Sequence, residues 1–147
     1  MNDSSIKHYH VLGPSSYSNI VDNLNLNLNK AFIIFLNGEL GSGKTTLVKK
    51  FLENYNMETV ATSPTFTLIN EYSANDISIF HYDLYRVKST KELFEIGIDY
   101  YLEKKGLHFF EWPNHCKSVL PFPDLEFTFT IFDNSRLLTV ETNNAKK

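Results

Sequence analysis

The octapeptide Gly38-Glu39-Leu40-Gly41-Ser42-Gly43-Lys44-Thr45 constrains the fold of this chain more than any other feature, because it fits G-x-x-x-x-G-K-[ST] and lies between stretches of opposite character. Before it, residues 31–36 (AFIIFL) make a continuous apolar run, the pattern of a strand buried on both faces of a parallel sheet. After it, Leu47, Val48, Phe51 and Leu52 recur at helical spacing from Lys44 onward. A strand that turns through glycines into a helix aims several backbone N–H groups at one point, and the helix dipole favours negative charge there. Gly41 and Gly43 let the backbone approach phosphate oxygens, Lys44 reaches the β- and γ-phosphates as a point charge, Thr45 offers a hydroxyl to Mg²⁺, and Thr46 offers its N–H to the α-phosphate. The segment therefore predicts nucleotide binding. Lys49 and Lys50 lie past the first helical turn and read as solvated charges.

The rest of the chain reads as strands and helices in alternation. Residues 6–12 predict a first strand, and Pro14-Ser15 opens a helix carrying Ile20, Val21, Leu24 and Leu28. The asparagine-rich NLNLNLN at 23–29 reads as that helix fading into a loop without function. Two extended runs, 65–72 (TFTLINEY) and 77–85, flank Asn75-Asp76 and pair as a hairpin. Residues 91–105 predict one helix, capped by Thr90 or Ser89, weakened at Gly97 and ended by Gly106. Residues 107–110 form the next apolar strand, and 125–132 and 137–142 make a second hairpin through residues 133–136. The expectation is an α/β fold: a P-loop NTPase-like three-layer domain with a mixed sheet flanked by helices, occupying residues 1–147 as one domain.

Composition narrows the function. Formal net charge is -3, and twelve lysines stand against only two arginines, Arg86 and Arg136. That balance disfavours a dedicated binder of phosphate backbones and a small-molecule kinase, which clamps two phosphoryl groups with several arginines. Cys116 is the only cysteine, so no disulfide or cysteine zinc site can form within the chain. The sequence has neither a secretory leader pattern nor an apolar run of about 18 residues, which predicts a cytoplasmic protein. A regulatory GTPase is disfavoured by the lack of N-K-x-D and of D-x-x-G after the loop.

Hydrolysis needs more than a phosphate cradle: hard oxygen ligands for the ion and an acceptor to orient water. Asp83 near the end of the 77–85 run and Glu111 at the end of LHFFE are the candidates, since carboxylates at the carboxyl ends of strands beside the loop face the ligand. In the first run, alternation sets His81, Asp83 and Tyr85 on one face and Phe80, Tyr82 and Leu84 on the other. Asp83 reaches the ion if its strand neighbours the P-loop strand. Glu111 can orient water, take its proton, or hold Mg²⁺ directly or through water; spacing does not separate these roles. Trp112 beside it reads as packing or as a rigid surface at the mouth of the site.

Five stretches in order, GELGSGKTT, SPTFTLINEY, HYDLYR, ELFEIGIDYYL and FFEWP, together resemble the TsaE (YjeE) family of bacterial ATPases in tRNA threonylcarbamoyladenosine synthesis, over about residues 12–140. The resemblance implies ATP and Mg²⁺ as cofactors. It implies a partner-stimulated, weakly hydrolysing ATPase that docks on the TsaB–TsaD heterodimer and meets tRNA only through it, serving threonylcarbamoylation of adenosine 37 in ANN-decoding tRNAs. A nucleotide-gated binding module with little hydrolysis is the alternative. By match to the motifs, Lys44, Asp83 and Glu111 would be catalytic, and Thr45, Asp83 and Glu111 would hold the metal. Thr65 would belong to a loop that senses the γ-phosphate, Trp112 to the rim, and Arg136 would approach the nucleotide. Glu39 and Ser42 replace residues common in the family without altering the phosphate chemistry.

Overall fold

The computed structural model describes residues 4–57 and 68–143. Thr65 and the first part of the 65–72 run lie outside these residues. In chain order the described elements are β1 (Ser4–Val11), α1 (Ser16–Asp22), β2 (Ala31–Asn37), α2 (Lys44–Asn54), β3 (Ile69–Ala74), β4 (Ile77–Asp83), α3 (Thr90–Glu95), α4 (Ile98–Leu102), β5 (Gly106–Glu111), a 3₁₀ turn (Pro113–Cys116), β6 (Leu125–Phe132) and β7 (Ser135–Asn143).

The strands form one seven-stranded sheet in the order β1-β7-β6-β2-β5-β4-β3. The centre is parallel: β2 pairs β5 on one side and β6 on the other, and β5 pairs β4. Both edges are antiparallel, β1 on β7 on β6 at one side and β3 on β4 at the other. The β3–β4 hairpin closes through Asn75 and Asp76 at φ 53° and 65°, the two consecutive left-handed residues of a type I′ turn, which Asn and Asp tolerate.

Alternation along the central strands sorts side chains into two cores. Phe32, Ile34 and Leu36 of β2, with Ile79, Leu107 and Phe109, pack beneath Tyr17, Ile20 and Val21 of α1 and Leu47, Val48, Phe51 and Leu52 of α2. Ile33 and Phe35, with Phe80, Tyr82 and Phe110, meet Leu93 of α3 and Ile98 of α4 on the opposite face. This makes the expected three layers, helices on both faces of a mixed sheet. Each fully buried Phe or Leu side chain contributes about 1.5–3 kcal/mol relative to exposure, and the 4.9 Å edge-on pair of Phe51 and Phe109 adds shape specificity between α2 and β5.

Four local expectations are corrected. The helix predicted over 91–105 is two short helices, because Gly97 adopts φ 84° and breaks the chain between them. The 23–29 segment does not extend α1, which ends at Asp22; Leu24, Leu26 and Leu28 instead pack against the core at alternate positions and leave the asparagines outward. The 77–85 strand ends at Asp83. Its strand also does not neighbour β2: β5 lies between them.

Candidate functional site

The parallel strands β2, β5 and β4 all deliver their carboxyl ends to one edge of the sheet, at Asn37, Glu111 and Asp83. From Asn37 the chain passes through Gly38, the exposed Glu39 and Leu40, Gly41 and the buried Ser42 into α2. Gly43 precedes the helix at φ 117°, and a Cβ there would stand 2.6 Å from the Tyr17 hydroxyl, so both conformation and space demand glycine. Arg136 of β7 closes the other side, its Nη2 donating to the Gly41 carbonyl at 3.0 Å.

These groups line a cavity of about 260 Å³ whose wall includes Tyr17, Gly41, Lys44, Thr45, Glu111 and Arg136. Lys44 is only 5% exposed. Its ammonium donates to the Gly38 carbonyl and sits over the Trp112 ring, 3.9 Å from the centroid. Burial pulls the Lys44 pKa below its ordinary value, opposed by the nearby carboxylates of Glu111 and Asp83. Trp112 leaves β5 in a left-handed conformation, φ 60°, and this turn lays its indole against Tyr85 at 4.8 Å and beneath the lysine.

Glu111, 3% exposed, is a buried carboxylate in contact with the motif. Its Oε2 accepts a hydrogen bond from the Thr45 hydroxyl at 3.1 Å and lies 2.6 Å from His81 Nε2. Asp83 is the cross-strand partner of Glu111 in the β4–β5 ladder, so two carboxylates stand side by side. Burial raises the Asp83 pKa; the Tyr85 N–H, donating to its Oδ1 at 3.1 Å, works against that, and Glu111 adds to it.

The structure thus gathers Leu40, Gly41, Gly43 to Thr46, Glu111 and Arg136 around one cleft, with Gly38 and Trp112 reached through Lys44, Glu39 and Ser42 in the loop but off the lining, and Asp83 one strand further out. His81, which faces the same side as Asp83, was not among the expected site residues, and neither were Tyr17 and the Val11–Pro14 stretch lining the cavity. Alternation two residues before Asp83 is the signal that could have found His81. Tyr17 had no local signal, since its place depends on α1 packing over the loop.

Chemically, the cleft suits a polyphosphate with a hard cation. The start of α2, the Lys44 ammonium and the Arg136 guanidinium supply positive potential around a small polar cavity. The Thr45 hydroxyl and adjacent carboxylates are oxygen donors of the type Mg²⁺ takes, and a dication would relieve the juxtaposed charges of Glu111 and Asp83.

Known proteins resemble this chain in fold and in sequence. A solved structure of Bacillus subtilis YdiB superposes with a TM-score of 0.74 at 24% identity, covering 95% of this chain and 87% of that one, which establishes the shared fold. A Haemophilus influenzae protein named tRNA threonylcarbamoyladenosine biosynthesis protein TsaE is 35% identical over 125 residues, 84% of this chain and 79% of its own. A Rickettsia felis protein of the same name is 37% identical over 116 residues, 78% of this chain and 67% of its own. The sequence profile described as "Threonylcarbamoyl adenosine biosynthesis protein TsaE" matches residues 14–138, from the loop before α1 to the middle of β7, which takes in the phosphate loop, Asp83, Glu111, Trp112 and Arg136, and the chain belongs to the TsaE family.

Proposed function

We propose that the protein is a Mg²⁺-dependent ATPase of tRNA threonylcarbamoyladenosine biosynthesis, converting ATP to ADP and phosphate and stimulated by a TsaB–TsaD pair. The observation that carries this reading is the 3.1 Å hydrogen bond between Thr45 and Glu111, which joins the hydroxyl of the phosphate loop to the carboxylate of the adjacent strand beside the cavity. Lys44 exchanges the Gly38 carbonyl for phosphate oxygens, and the N–H groups at the start of α2 hold the rest of the polyphosphate. Thr45 and Glu111 would hold Mg²⁺, directly or through water, with Asp83 beside them; the ion, when bound, neutralises charge that develops on the transferred phosphoryl group. Glu111 also orients the attacking water.

Weak intrinsic turnover follows from the scarcity of fixed positive charge, since Arg136 is the one arginine at the cavity wall. The whole chain acts as a single domain in the cytoplasm, and tRNA is reached only through the partners. The names of the relatives and the family membership support the pathway; the resemblance carried by SPTF supports a γ-phosphate-sensing role for Thr65.

Purified protein mixed with TsaB and TsaD should hydrolyse ATP faster than either component alone, and omission of Mg²⁺ should remove the increment. No association with ATP present and no stimulated phosphate release would refute the proposal. A second reading, a nucleotide-gated module that assembles a complex and scarcely hydrolyses, is favoured by the contacts of the Lys44 ammonium with the Gly38 carbonyl and the Trp112 ring. Under that reading Glu111→Ala supports full tRNA modification, whereas the ATPase reading requires its loss.

A further inference from the structure

His81 is a completely buried polar residue that the hydrolytic reading above leaves without a task. Its Nε2 lies 2.6 Å from Glu111 Oε2, and its Nδ1 has no hydrogen-bond partner among the described residues. A carboxylate oxygen accepts, so Nε2–H donates to Glu111 and the ring is held as a donor aimed at one oxygen.

The same oxygen also takes the Thr45 hydroxyl. With both donors on Oε2, the Glu111 carboxylate is restrained about its last torsion, and neither bond occupies Oε1. His81 holds its place rigidly, because β4 pairs with β5 in register on both sides of it: His81 is opposite Phe109, and Asp83 opposite Glu111. A buried strand-borne donor is a better anchor than a loop side chain, since packing determines its rotamer.

We propose that His81 is the positioning residue of the hydrolytic carboxylate, holding Glu111 so that Oε1 meets the water and ion of the reaction. This inference rests on the ATPase reading and assigns His81 no contact with substrate. Its loss lowers turnover while leaving nucleotide affinity in place, because the phosphate contacts lie on the loop and α2. Support residues of this kind change activity by about 10- to 100-fold.

The test compares His81→Gln, whose amide nitrogen reaches as far as Nε2, with His81→Asn, whose amide stops short of Glu111, and His81→Leu, which keeps bulk without a donor. Nucleotide dissociation constants are read from Trp112 fluorescence, and phosphate release is measured with the TsaB–TsaD pair present. The expected result is kcat about 10- to 100-fold down in Asn and Leu, kcat largely retained in Gln, and ATP affinity within about threefold of wild type in all three. Equal turnover in Gln and Asn, whether equally high or equally low, overturns the inference; this pair decides the matter even if the Leu variant fails to fold. Glu111→Gln separates the two claims: if wild type turns over and Glu111→Gln does not, an unaffected Asn variant refutes the role of His81 alone, and if wild type shows no turnover the ATPase reading itself fails.

Discussion

Two buried histidines lie on opposite faces of the same pair of strands, and their surroundings differ in kind. On the face covered by α3 and α4, His108 is stacked on Phe80 at 4.5 Å, receives the Tyr82 hydroxyl on Nδ1 at 2.7 Å, and donates from Nε2 to the Lys104 carbonyl at 2.9 Å. Every polar atom of that ring is answered, and Tyr82 in turn stacks on Phe110 at 4.1 Å. On the α2 face, His81 answers only with Nε2, Glu111 holds a carboxylate beside the cavity, and Lys44 is buried against the Gly38 carbonyl. One face is closed and completes a core. The other keeps charges beside a cavity where a ligand can use them, and a buried nitrogen without a hydrogen-bond partner among the described residues, a cost that a purely structural sheet has no reason to carry.

The contrast can be broken most severely at Glu111. Glu111→Gln keeps the shape and one acceptor but removes the charge, and should lower phosphate release by about 10²–10⁴-fold with nucleotide binding retained, as for loss of a group that orients or deprotonates water. Comparable loss of binding would place Glu111 in ground-state recognition instead.

On the closed face the probe is pH. Burial pushes His108 down to about 4 from an ordinary value near 6.5. The unfolded chain therefore binds this proton more readily than the folded one, so the contribution is fully present above about pH 6.5 and is lost as pH falls toward 4. At 1.36 kcal/mol per unit the loss amounts to about 3 kcal/mol. Chemical denaturation between pH 7 and pH 4 should show this slope, and His108→Gln should flatten it; an unchanged slope would mean that the ring is not held neutral by the core.

Lys44→Ala should weaken ATP affinity by about 10- to 100-fold through loss of one charge-assisted phosphate contact. Because Lys44 is charged at a cost in the free protein, the variant should unfold no more easily than wild type, and a marked drop in Tm would show that its contact with Trp112 is structural. The smallest effect belongs to Arg136→Ala. Its bond to the Gly41 carbonyl steadies the loop from β7, and its removal should raise the ATP dissociation constant by about three- to tenfold, measured by titration of Trp112 fluorescence.

The same contrast explains what could be read in the chain. The phosphate loop, β2 and α2 were legible because their signals are local: an apolar run, spaced glycines, and helical periodicity within about twenty residues. Glu111 was legible as the end of a second apolar run. The order of strands was not, since β5 enters between β2 and β4 from far along the chain, and this moved Asp83 one strand away from the loop. His81 escaped notice for the same reason: its alternation was visible, but its partner was 30 residues distant and known only once β4 and β5 were paired. Gly97 showed as a weakness in a helix and proved to be a break, because a left-handed residue ends the hydrogen-bond ladder altogether. The NLNLNLN segment was read by its asparagines, whereas its leucines determine its path along the core.

A structure of the protein with Mg²⁺ and a non-hydrolysable ATP analogue tests the central claim most directly. The β- and γ-phosphates are expected at the start of α2 with Lys44 on them, and Mg²⁺ on the Thr45 hydroxyl with Glu111 joined to it directly or through water. A nucleotide seated elsewhere, or an ion held by Asp83 with Glu111 turned out of the cavity, would contradict it.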